Sequence, residues 1–164
     1  MTDIPVSDAD ITATEGFVLN HTMLRIKDPA RSLDFYQRIL GMRLIDRRDF
    51  DEAKFSLFFL EPRGHGADPD ASPRAARPGI LELTHNWGTE SDDSQMHSGN
   101  EEPRGFGHIC ISVPDIEAAC ARFEAEGVKF RKRLDEGRMR GLAFILDPDG
   151  YWIEIIQYDR SGAA

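Results

Sequence analysis

Cysteine is scarce in this chain, two residues in 164, Cys110 and Cys120. Two thiols set in apolar patterns make no disulfide framework, and they predict buried, reduced side chains of a cytoplasmic protein. Long apolar runs are missing too, and none approaches the ~20 residues that a membrane helix needs. The N-terminal stretch MTDIPVSDADITATEGF carries acids where a secretory signal has a basic start and an apolar segment. Residues 1–16 therefore read as an arm or a short disordered tail. Positive charge is outnumbered, 20 basic against 29 acidic residues, for a formal net charge of −9. That balance argues against a general nucleic-acid or membrane-surface role, while local arginines can still hold a small anion. The length suits one ordinary domain, or two small modules sharing a core.

What is present is a pattern met twice. His21 opens the strand-like run HTMLRI and His108 opens HICISV. Period-2 alternation puts His21, Met23 and Arg25 on one face of the first strand, and His108, Cys110 and Ser112 on one face of the second. A helix follows in each half. Asp28-Pro29 supplies a cap and a first helical residue, Leu33, Tyr36 and Leu40 recur at helical spacing, and Gly41 stops the run. In the second half Asp115 caps, Ile116, Ala119, Cys120 and Phe123 form the stripe, and Gly127 stops it. Three further strands are expected in each half, over 42–47, 54–60 and 79–84, then over 128–132, 142–146 and 151–157, with Asp147-Pro148-Asp149-Gly150 as a turn between the last two. The fold class is α+β, built from two βαβββ modules whose mixed sheets curl around a cleft.

The expected organisation is an arm over 1–16, a first module over 17–88, a linker over 89–103, a second module over 104–158 and a tail over 159–164. His21 and Glu82 stand 61 residues apart, and His108 and Glu154 stand 46 apart. A surface loop over 61–79, rich in proline, glycine and charge, can hold the surplus of the first half.

The last strand of each half carries one glutamate among apolar residues, Glu82 in ILELTH and Glu154 in YWIEII. A carboxylate inside a buried strand is costly unless something compensates it. A lone strand histidine is more often structural than functional; two histidines and two glutamates at matching places in a repeat point to a divalent metal held by His21, Glu82, His108 and Glu154. Asn86 falls on the Glu82 face and Arg25 on the His21 face, a pair suited to holding a carboxylate or amide, although each alone reads as a solvated strand end. Arg104 precedes the flexible Gly105-Phe106-Gly107-His108 and is either an anion clamp or linker charge. Arg131, Lys132, Arg133, Arg138 and Arg140 are either a solvated hairpin or a positive rim for an acidic small molecule. His65 and His97 read as solvated, and His85 as a surface or packing residue.

The strings HTMLRIKDPARSLDFYQRILGM, FSLFFLE, LELTHNWGTE, EPRGFGHI and GRMRGLAFILDPDGYWIEII closely resemble the glyoxalase I (lactoylglutathione lyase) family of the vicinal oxygen chelate superfamily. The resemblance runs from about Phe17 to Gln157. It implies a cytoplasmic homodimer with active sites at the subunit interface, each taking His21 and Glu82 from one subunit and His108 and Glu154 from the other. It also implies a lyase of methylglyoxal detoxification, which isomerises the methylglyoxal–glutathione hemithioacetal to S-lactoylglutathione. One divalent metal per site is implied, zinc first, with nickel or cobalt as alternatives. Arg25 and Asn86 match positions holding the γ-glutamyl end of glutathione, and Arg104 and Lys132 match positions near its glycyl carboxylate. His108, Arg138 and Met139 complete the residues placed against substrate, Arg138-Met139 standing where the family usually has Lys-Met. Glu154 matches the principal base, and Glu82 a ligand and second base. Other metalloenzymes of the superfamily, thiol transferases or extradiol dioxygenases, are the competing reading, together with a binding protein lacking turnover. A dioxygenase set of two histidines and one glutamate would leave a glutamate unexplained.

Overall fold

The structure, a computed structural model, describes residues 5, 7–63, 73–137 and 140–158. A short helix α1 (Asp8–Ala13) precedes β1 (His21–Ile26), α2 (Pro29–Asp34), β2 (Met42–Phe50), β3 (Phe55–Pro62) and β4 (Ile80–Asn86). The second half repeats the series with β5 (His108–Val113), α3 (Ile116–Ala125), β6 (Phe130–Lys132), β7 (Leu142–Leu146) and β8 (Trp152–Gln157). The strand orders are β1-β4-β3-β2 and β5-β8-β7-β6. In both sheets the first and last strands pair in parallel and the remaining pairs are antiparallel. The expected α+β repeat is thus the observed fold.

Local chemistry explains the elements. The Asp28 carboxylate accepts the Ala30 N–H at 2.8 Å, and Asp115 accepts that of Ala118 at 2.9 Å, so each main helix has one of its orphan donors capped by a side chain. Pro29 sits where its missing N–H costs nothing. After Asp34 the helix widens into a π-turn over Phe35–Ile39, closed by the Leu40 N–H on the Phe35 carbonyl. That widening rotates the buried stripe: Phe35, Tyr36 and Ile39 are buried, whereas Leu33 and Leu40 of the expected stripe are only partly so. The arm, read as a possible disordered tail, instead carries the Ser7–Asp10 capping box of α1, a helix with no buried residue.

One hydrophobic core serves both halves. It joins Leu24, Ile26, Tyr36 and Leu83 to Ile116, Phe123, Ile145, Ile153 and Ile155. Each fully buried Ile or Leu contributes roughly 1.5–3 kcal/mol. Polar contacts clasp the same junction. Tyr36 donates its hydroxyl to the buried Asp147 carboxylate at 2.8 Å, while the Lys27 N–H and the Ser32 hydroxyl reach Asp149 at 3.2 and 3.3 Å. The Arg122 guanidinium donates to the carbonyls of Ile39 and Arg38, each at 2.6 Å. The other sheet faces stay uncovered: His21, Met23 and Arg25 on β1, and His108, Cys110 and Ser112 on β5, are exposed.

Candidate metal centre

In the first sheet the parallel register sets Met23 opposite Glu82, with His21 two residues earlier on the same face. His21 Nε2 lies 3.3 Å from Glu82 Oε2. The second sheet repeats this arrangement: Cys110 is opposite Glu154, His108 is two residues earlier, and Nε2 and Oε2 are again 3.3 Å apart. On the other flank of each glutamate stands a phenylalanine, Phe59 by Glu82 and Phe144 by Glu154. Their rings meet the histidines edge-on at 6.1 and 5.3 Å. The glutamates are more sheltered than their histidines, 13% exposed against 39% in the first pair and 21% against 42% in the second.

Imidazole nitrogen and carboxylate oxygen are donors that zinc, nickel and cobalt accept, and paired on rigid strands they fit such an ion. Among the described residues, however, no three His, Cys, Asp or Glu side chains of one chain gather into a group that holds a metal. Each half of the chain thus contributes a pair, and the two pairs remain separate.

The glutamates differ in their further partners. Thr84, 6% exposed, donates its hydroxyl to Glu82 Oε1 at 3.2 Å. Cys110 stands opposite Glu154 in the register, and desolvation together with that carboxylate pushes its thiol up to about 11. Cys120 is buried, as its helical stripe predicts, but Cys110 is exposed, against expectation. Its strand position points it to the uncovered sheet face, which an apolar pattern alone does not distinguish from the covered one.

Four positions further along β1 from His21, the Arg25 guanidinium donates to the Asn86 amide oxygen at 2.6 Å. The pair is exposed on the face of the His21–Glu82 pair and keeps further N–H groups for an anion. Arg104 is exposed, its nearest acid Glu102 at 3.1 Å. Lys132 is turned into its own hairpin, donating to the carbonyls of Arg133 and Leu142 at 3.1 and 2.9 Å. Its neighbours are occupied likewise, Arg131 over the Trp152 ring and Arg133 over Phe130 and on Glu124. Arg138, Met139 and His65 lie outside the described residues. His85 is a packing residue, buried and 3.0 Å from Glu90, and the exposed His97 reaches the Pro103 carbonyl at 2.8 Å.

Three neighbours of the centre escape a reading by residue type. Asn20 holds His21 Nδ1 at 2.8 Å, the Arg74 guanidinium lies 3.8 Å over Phe59 while pairing with Asp46, and Cys110 joins Glu154. A polar residue ending the apolar approach Phe17-Val18-Leu19 was the one available signal for Asn20.

Paired βαβββ sheets with a His–Glu pair on each uncovered face define a class of metalloprotein. Residues 18–155 match the Glyoxalase/Bleomycin resistance protein/Dioxygenase superfamily, and the chain belongs to it. The chain is 60% identical over 154 residues to the lactoylglutathione lyase of Pseudomonas aeruginosa, covering 91% of this chain and 87% of that one. It is 51% identical to glyoxalase I of Saccharomyces cerevisiae, an alignment that takes in 98% of this chain and 51% of the yeast protein. Among solved structures it resembles the trypanothione-dependent glyoxalase I of Leishmania major, with a TM-score of 0.65, 33% identity and 85% of each chain covered.

Proposed function

We infer that the chain is a lactoylglutathione lyase, isomerising the methylglyoxal–glutathione hemithioacetal to S-lactoylglutathione. The observation that carries this reading is the pair of matched His–Glu contacts, each 3.3 Å, on corresponding strands of a chain 60% identical to a lyase of that name. His21, Glu82, His108 and Glu154 are the ligands. Zinc is the resident ion of this reading, and when bound it supplies Lewis-acid stabilisation of oxyanion charge developing on the substrate.

The remaining work falls to the side chains. Arg25 and Asn86 hold the γ-glutamyl end of glutathione, the guanidinium by charge-assisted hydrogen bonds. Arg104 and Lys132 serve the glycyl end of glutathione, Arg138 and Met139 are assigned to the substrate by the family resemblance alone, and His108 borders the substrate. Glu154 removes the proton from the hemithioacetal carbon and returns it to the neighbouring carbon through an enediolate. Glu82 serves the opposite hand of substrate. Phe59 and Phe144 flank the carboxylates with apolar surface. Oxidation of the hemithioacetal carbon to a thioester is balanced by reduction of the neighbouring carbonyl carbon to an alcohol within the same molecule, so no redox cofactor is required. A dioxygenase reading leaves one of two equivalently placed glutamates without work.

The site is completed by a second copy of the chain, one giving His21 and Glu82 and the other His108 and Glu154. Separate pairs on uncovered sheet faces support this, as do the exposed Phe17, Val18, Leu19, Met23 and Phe106, which offer apolar area around them. Sedimentation is expected to give about twice the 18.5 kDa chain mass. A mixing experiment tests the composition of the site. The His21→Ala/Glu82→Ala chain and the His108→Ala/Glu154→Ala chain are each expected to be inactive. Unfolded and refolded together, they form hybrids with one intact site and regain thioester formation from methylglyoxal and glutathione. Failure to regain activity, with both chains folded, would put all four ligands in cis. Stripping the wild-type chain and reloading it with zinc, nickel or cobalt tests the ion, and unchanged activity after stripping would sink the metal reading. The two unjoined thiols agree with a cytoplasmic site of action.

A further inference from the structure

We propose that Asn20 is a positioning residue for His21, fixing the imidazole in the tautomer that bears its proton on Nδ1 and leaves Nε2 free to bind a cation. This rests on the reading of His21 as a metal ligand, and the geometry carries it in three steps. The Asn20 amide nitrogen lies 2.8 Å from the Arg74 carbonyl oxygen and 2.8 Å from the Arg77 carbonyl oxygen. Backbone carbonyls only accept, so both amide protons are spent there and the amide cannot be flipped. The Asn20 carbonyl oxygen is thereby turned to His21 Nδ1, 2.8 Å away, and an oxygen that only accepts requires a proton on that nitrogen. In the neutral ring Nε2 is then a bare lone pair, and it faces Glu82 Oε2, a second acceptor, at 3.3 Å. Two acceptors face each other, an arrangement a shared cation relieves.

The backbone reinforces the hold. The Asn20 backbone carbonyl accepts the Ile80 N–H at 3.0 Å at the start of β4, so main chain and side chain of the residue are both tied. The tether also reaches the stretch that carries Arg74 onto Phe59, the ring beside His21. The other half of the chain offers an internal control. Gly107 stands before His108 where Asn20 stands before His21, and among the described residues of one chain nothing hydrogen-bonds His108 Nδ1. Outer partners of metal-binding histidines commonly set tautomer and ring orientation, and their loss weakens metal affinity about 10–100-fold.

The test uses the full chain. First, two-bond proton–nitrogen spectra of the 15N-labelled, metal-stripped wild type are recorded about two pH units above the ordinary imidazole value of ~6.5. His21 is expected as the Nδ1–H tautomer; an Nε2–H signature would overturn the proposal without any variant. Second, zinc affinity is measured by chelator competition for wild type, Asn20→Ala and Asn20→Asp. Asn20→Ala removes acceptor and donors alike and is expected to bind zinc about tenfold more weakly or worse, with the His21 tautomer altered and His108 unchanged. Asn20→Asp keeps the acceptor and loses both donors, so it is expected to retain the tautomer and an affinity within about threefold of wild type. Equal loss in both variants would show that Asn20 acts by strapping the Arg74–Arg77 backbone, and would overturn the assignment. Wild-type chain that binds no zinc would defeat the metal reading instead, while the tautomer spectrum still reports on the Asn20 contact.

Discussion

The first and second halves of the chain have the same strand order and the same 3.3 Å His–Glu separation, yet they hold these side chains by different means. In the first half a hydroxyl from Thr84 reaches the glutamate, an asparagine reaches the histidine, and an Arg–Asn pair stands at the strand end. In the second a cysteine stands opposite the glutamate, and glycine precedes the histidine. Duplication supplied the frame, and under the proposed function the divergence divides the work: anchoring of ligand and fixing of a ring to one half, proton transfer to the other.

That division can be broken most directly at the glutamates. Glu154→Gln is expected to lower turnover about 10²–10⁴-fold, the range for a lost general base, with Glu82→Gln losing less on the same substrate hand. Equal losses, measured as thioester formation at saturating substrate, would mean that the halves share the base role.

The second test concerns what unites the halves. Burial raises the Asp147 carboxyl to about 6 against hydrogen bonds that lower it, the one from Tyr36 foremost. An acid whose native value lies above its unfolded value of 3.8 favours folding fully below that value, and the benefit is lost as pH rises through about 6. Tyr36→Phe withdraws a donor from the ionised form, so it is expected to destabilise by about 1.5–3 kcal/mol near pH 7–8 and clearly less below pH 4. Urea unfolding at both pH values checks this; a pH-independent loss would mean that packing, not the hydrogen bond, joins the halves there.

The smallest effect sharpens the anchoring role. Arg25→Ala is expected to raise KM about tenfold, some 1.4 kcal/mol, with kcat little changed, provided that the contact is equally strong in ground and transition states. An adduct lacking the γ-glutamyl carboxylate is expected to be nearly indifferent. If both adducts suffer alike, Arg25 shapes the strand end instead of reading glutathione.

Much of the fold could be read from residues because it follows local rules. Asp28-Pro29 and Asp115 mark helix starts by capping, and alternation in HTMLRI and HICISV separates covered from uncovered faces. The His–Glu contacts were within reach for the same reason, since a repeat fixes register twice. Contacts between distant segments were not legible. Asp147 reads as a turn residue, and nothing local says that its carboxylate meets Tyr36 111 positions earlier. The π-turn at Phe35 leaves no mark in the helical spacing of Leu33, Tyr36 and Leu40. Asn20 needed the positions of two carbonyls near residue 75. Cys110 needed the knowledge of which face stays open. Arg104 and Lys132 have partners that their residue types alone do not name, Glu102 for the one and the carbonyls of Arg133 and Leu142 for the other.

The Asp147–Asp149 clasp also orders events during synthesis. The Lys27 N–H, Ser32 and Tyr36 find their partners only at positions 147–149. In a growing chain one side of the first helix therefore waits for a surface more than a hundred residues downstream. Contacts of such sequence separation close slowly, because loop entropy is spent before they form. The first half emerges from the ribosome before the partners of Tyr36 and its apolar neighbours exist, and a message truncated before residue 147 yields a polypeptide that lacks them altogether. Such fragments are natural substrates for chaperones and proteases.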